Sequence, residues 1–183
     1  MTDMYPAEKL SSNFGSYTTT TGILLLILGT AGIFLPGLVS LGTVFFISGL
    51  LIIGGIIWSI HTYKYNAGNI MDWIKPALLF IVGSLMLFYP LSGVAAVGLL
   101  LAVYLFLDAF GSFALAQLIH PASGWGWMVF NGMVSLLLAL LFLIGWPTTS
   151  MWLVGLYISI SLLFDGGALV AISMAMRKAG KFD

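Results

Sequence analysis

The sequence predicts an all-α, polytopic membrane protein of six transmembrane helices, from scarce charge, long apolar runs and the absence of alternation within them. Of 183 residues, 61% are hydrophobic and 7% charged. Soluble domains carry roughly 25% charged residues because their surfaces face water. Six basic and six acidic side chains cannot coat a soluble particle of this size. Residues 16–35, 38–60, 76–89, 91–118, 127–145 and 148–176 are almost free of charge. Most reach the ~20 residues that a helix needs to cross ~30 Å of hydrocarbon. A lipid-exposed segment must satisfy its own backbone hydrogen bonds, which makes these runs helical. Barrel strands are shorter and alternate apolar with polar residues, whereas Leu24-Leu25-Leu26-Ile27-Leu28 and Leu136-Leu137-Leu138-Ala139-Leu140 do not alternate.

In chain order, residues 1–15 read as a polar N-terminal tail with no basic stretch before the first apolar run. That is unlike a cleaved signal peptide, so the first helix reads as permanent. Pro36, Pro90 and Pro147 then each separate two apolar runs. Proline disrupts a helix interior but suits a turn or a first helical turn, so each marks a tight link between antiparallel helices. This gives three hairpins of about 16–60, 74–118 and 125–176, followed by a short basic tail over 177–183.

The spacing of the prolines, 54 residues (90 − 36) and 57 residues (147 − 90), points to an internal repeat. In the second and third units a glycine falls eight residues after the proline (Gly98, Gly155) and an aspartate eighteen after it (Asp108, Asp165). The first unit has Gly54 in place of the aspartate. Triplication of one hairpin is the reading adopted.

All the lysines and arginines are Lys9, Lys64, Lys75, Arg177, Lys178 and Lys181, and none is in a proline turn. With six spans they fall on one side, together with the loop His120-Pro121-Ala122-Ser123-Gly124. Basic loops favour the cytoplasm, so both termini are expected there, with the proline turns outside. Trp58, Trp73, Trp125 and Trp127 fit the inner interface, and Tyr89, Trp146 and Trp152 the outer one.

Asp108 and Asp165 are the ionisable residues inside the spans. Eighteen residues at ~1.5 Å each put both about 27 Å from the outer turn, in the inner part of the bilayer. Tyr104, Asp108 and Ser112 are four apart, as are Tyr157, Ser161 and Asp165, so each trio shares a helix face. Asn131 on the fifth helix is expected at similar depth. These seven residues form the candidate site, an intramembrane polar cluster for protons or a small polar ligand. The competing reading is structural, with the carboxyls tying helices together through hydrogen bonds of about 1 kcal/mol each. The sequence favours this second reading, because a transport route needs polar residues at several depths and the outer half offers few.

Other chemistry finds little support. With no cysteine, disulfides and thiolate sites are excluded. The glycines, among them Gly29, Gly98 and Gly166, read as helix-packing surfaces, and no phosphate-binding glycine motif is present. His61 and His120 lack ligand partners at metal spacing. No catalytic residues, cofactor, metal or nucleic-acid partner is expected. The lipid bilayer is the expected partner, with a homo-oligomer or a larger membrane complex suggested by the glycine-rich faces and minimal loops.

Gly145-Trp146-Pro147, Ser150-x-Trp152-x-x-Gly155-Leu156 and Leu162-Leu163-Phe164-Asp165-Gly166 resemble the bacterial acid-resistance membrane proteins of the HdeD type. Leu35-Pro36 through Gly55 and Tyr89-Pro90 through Asp108 look like weaker copies, so the resemblance covers residues 17–176. It implies six inner-membrane spans and a non-enzymatic role in acid or envelope stress, and brings no catalytic residues. An accessory or assembly subunit of a larger complex, and a small proton or solute conductor, are the alternatives.

Overall fold

The computed structural model describes residues 7–65 and 67–179, with side chains over 17–65 and 67–176. The outer parts of the two expected tails, 1–6 and 180–183, lie outside the described residues. All regular structure in the described residues is helical: α1 (Ala7–Phe34), α2 (Pro36–Tyr65), α3 (Ile70–Phe88), α4 (Pro90–Ile119), α5 (Trp125–Ile144) and α6 (Ser150–Ala179). Each is long and apolar enough to cross a membrane.

The helices overrun the apolar runs that announce them. α1 starts at Ala7, inside the segment read as tail, although its apolar stretch begins at Tyr17. Hydropathy reports lipid contact, whereas Ala7-Glu8-Lys9-Leu10 are strong helix formers whatever surrounds them. α3 likewise starts at Ile70, where the Asn69 side chain accepts the Met71 N–H as an N-cap. Pro76, which reads as the start of a span, is therefore inside a helix. Proline has no N–H to give the carbonyl four residues back, which here belongs to Asp72. The buried Thr62 hydroxyl of α2 donates to that carbonyl instead, at 3.4 Å.

Pro36 and Pro90 open α2 and α4 after single linking residues, Leu35 and Tyr89. Their missing N–H groups fall where a helix has no internal acceptor for them. Pro147 differs. It stands in a turn between Ile144 and Ser150, and the Trp146 indole N–H donates to the Ala95 carbonyl of α4 at 2.9 Å.

The chain divides into two compact units, one of Met1–Pro36 with Gly155–Asp183 and one of Gly37–Val154. In the first, α1 and α6 run antiparallel in constant register. Thr19 bonds Ser173, Gly22 meets Val170, Leu26 meets Gly166 and Gly29 meets Leu163, and each pair of numbers sums to 192. Small residues recur every seven positions along this seam, Gly22 and Gly29 on α1 and Ser159, Gly166 and Ser173 on α6. A seven-residue period keeps one narrow stripe facing its partner. Here the stripe is small enough for backbones to touch. A Cβ on Gly166 would lie 2.7 Å from the Gly22 carbonyl oxygen.

In the second unit, α2 and α3 are antiparallel, with Gly55 against the Phe80 ring and Gly83 against Ile52. α4 packs most extensively on α5, and far less on α3. The expected hairpins thus describe the order of connection, while α4 packs far more on α5, assigned to the next hairpin, than on α3 of its own.

Candidate functional site

The α4–α5 seam brings together three of the seven candidate residues and adds a fourth. Asp108 and Ser112 are one turn apart on α4, and Asn131 and Ser135 one turn apart on α5. Antiparallel packing sets Ser135 beside Asp108 and Asn131 beside Ser112. The Ser135 hydroxyl donates to Asp108 Oδ2 at 2.6 Å, within the range of charge-assisted O–H···O bonds. Asn131 Nδ2 donates to Ser112 Oγ at 2.9 Å and, more weakly, to the same Asp108 oxygen at 3.4 Å. Ser112 and Ser135 are buried, Asp108 is half-buried and Asn131 is exposed.

Small neighbours make this close approach possible. Ala109 and Ala116 are buried on the same face of α4, and Gly132 of α5 receives the Phe113 ring, with a Cβ there at 2.7 Å from it. Gly124, at φ +103°, caps the start of α5 in the left-handed region that glycine adopts without strain.

The depth differs from the sequence expectation. α5 has 20 residues, about 30 Å at ~1.5 Å each, and just spans the hydrocarbon. Ser135 is near its middle, so Asp108 is near the middle too, and Asn131 and Ser112 lie about 6 Å closer to the loop of 120–124. Counting from Pro90 gives a greater depth because α4, at 30 residues, is longer than the ~30 Å of hydrocarbon requires. A carboxylate at the centre costs about 2.5–3.5 kcal/mol on insertion scales. Hydrogen bonds inside membranes return about 0.6–1.7 kcal/mol each, so the two donors offset much of that cost.

The donor and acceptor inventory sets what the cluster can take. Both Asn131 N–H groups and the Ser135 hydroxyl are used within it, while Asp108 Oδ1 and Asn131 Oδ1 accept nothing among the described residues. The free positions are mostly acceptors, which suit a proton or a small donor rather than an anion.

The other candidates lie elsewhere. Tyr104 is exposed on α4, outside the hydrogen-bonded group. Asp165, Tyr157 and Ser161 belong to the α1–α6 unit. Asp165 precedes the seam glycine Gly166 and is therefore turned about 100° away from the seam, where it is exposed. By the constant register it stands level with Ile27, in the apolar stretch of α1. Ser135 was legible in the sequence, since the four-residue rule that pairs Asp108 with Ser112 also pairs Asn131 with Ser135.

Two segments, residues 20–83 and 74–144, match the family described as a short repeat of unknown function (DUF308). Their starts are 54 residues apart (74 − 20), the same as the separation of Pro36 and Pro90 (90 − 36). The candidate cluster falls entirely within the second match. No curated protein and no solved structure matches the chain.

Proposed function

Because the chain belongs to the DUF308 short-repeat family, the family of HdeD, we propose that it is a non-enzymatic inner-membrane protein acting in resistance to acid or envelope stress. The observation that carries this reading is the Asp108 cluster, which holds a carboxyl group beside the middle of the apolar helix α5 with acceptor oxygens free. An intramembrane ionisable residue is costly enough to mark a functional site. Here its role is to take up a proton, or a small donor ligand, when the surroundings acidify. The basic loops support a cytoplasmic position for both termini. The third proline unit, around Pro147, counts as a further copy of the repeat by its glycine and aspartate spacing.

Acid survival of a deletion strain tests the function, with complementation by the wild type and by the double variant D108N/D165N. The wild type is expected to restore survival and the double variant to fail while still reaching the membrane. Equal survival of deletion and wild-type strains removes the acid role.

A second reading, an accessory subunit or homo-oligomer, is favoured by Asp165. An exposed carboxyl level with Ile27 suits a protein neighbour better than hydrocarbon. Its test is a partner or a second copy retained in mild detergent and lost in D165L. Conduction has less support, since the hydrogen-bonded group extends over only about 6 Å of the ~30 Å to be crossed.

A further inference from the structure

Between α2 and α3 runs a furrow of about 460 Å³, lined by Leu51, Ile74, Leu78, Leu79 and Val82, with Met71 at one end. Its volume is within the range of small-molecule sites. From Lys75 to Val82 it follows seven residues of α3, about 10 Å, roughly two thirds of the ~15 Å of one leaflet's hydrocarbon. The single charged residue in its lining is Lys75, near the Met71 end. The site is thus apolar along its length and cationic at one end, a pattern that matches a lipid tail and its headgroup rather than a soluble ligand.

Lys75 is held there. Its Nζ lies 3.2 Å from the centroid of the Trp58 ring, whereas a lysine at a membrane interface ordinarily extends toward water. A cation over an indole face keeps N–H donors for a further acceptor. Trp58 stacks edge-on to His61, which packs on Tyr65, and Lys64 lies over Tyr65. Asp72, the nearest carboxylate along α3, accepts from Asn69 at 3.2 Å. The walls are fixed by Gly55 on Phe80, by Gly83 on Ile52 and by the Thr62 bond to the Asp72 carbonyl.

We propose that this furrow is a binding site for one anionic phospholipid of the bilayer, its acyl chain lying along α3 and its phosphate on Lys75. Attraction of an anionic headgroup to one interfacial lysine corresponds to about a fivefold preference.

The full-length protein, purified in mild detergent and offered equal amounts of phosphatidylglycerol and phosphatidylcholine with identical chains, is read by native mass spectrometry. One retained lipid is expected, with phosphatidylglycerol favoured about fivefold. K75Q removes the preference, K75R keeps it, and the triple tail variant R177Q/K178Q/K181Q leaves it unchanged. L78W keeps the lysine but fills the furrow, and is expected to abolish retention of both lipids, so the test stands even where K75Q fails to fold. A preference that survives K75Q, a preference lost in the tail variant instead, lipid retention undiminished in L78W, or a second protein chain occupying the furrow overturns the proposal.

Discussion

Two antiparallel helix pairs in this molecule solve the same problem in opposite ways. The α1–α6 pair is held by contact of backbones across Gly22, Gly29 and Gly166, and its aspartate, Asp165, is turned off the seam. The α4–α5 pair keeps its aspartate at the seam, bonded to Ser135 and Asn131. Glycine contacts serve packing alone, since lipid tails give helices no hydrophobic reason to associate and close van der Waals contact supplies one. A carboxyl at the seam is a costlier solution than another glycine, which is why the proposed function rests on the α4–α5 pair.

The comparison can be broken most sharply at adjacent glycines. Gly166→Ala puts a methyl 2.7 Å from the Gly22 carbonyl oxygen, whereas Gly167 has nothing within 4 Å of its Cβ position. Overpacking costs about 1–3 kcal/mol, while glycine to alanine in an open helix position gains about 0.5–1 kcal/mol. Unfolding in mixed micelles is expected to show opposite signs for neighbours one residue apart. Equal effects would show that the seam is not close-packed.

On the polar seam, Asp108→Ala strands the Ser135 hydroxyl and is expected to cost about 1–3 kcal/mol in the same assay. The cycle of D108A with S135A isolates the bond between them, and a coupling of about 0.6–1.7 kcal/mol is expected. Additivity would mean that the 2.6 Å contact contributes nothing. Asp165→Asn has the smallest effect on the isolated chain, within about 0.5 kcal/mol, because the side chain is exposed. A larger loss would place a partner on Asp165 within the chain.

The fold class was legible in the sequence because lipid imposes a single requirement, a long apolar run, that composition reports directly. Helix ends were less legible. The polar start of α1 at Ala7 and the Asn69 cap of α3 depend on backbone capping and propensity, to which hydropathy is blind. The four-residue spacing of Asp108 and Ser112 was readable, as was the level of Asn131 relative to them. The pairing of α4 with α5 was not, since it is decided by how small residues such as Ala109, Ala116 and Gly132 fit across a seam. Nor could the sequence separate Asp108 from Asp165. Both stand eighteen residues after a proline, yet one faces a donor pair and the other faces away from its seam.

That separation is the central claim, and infrared difference spectroscopy of the reconstituted protein between neutral and acid pH tests it most directly. A carboxyl C=O band that appears on acidification, vanishes in D108N, shifts in S135A and persists in D165N is the predicted result. A spectrum that D108N leaves unchanged, or one that D165N abolishes, would contradict it.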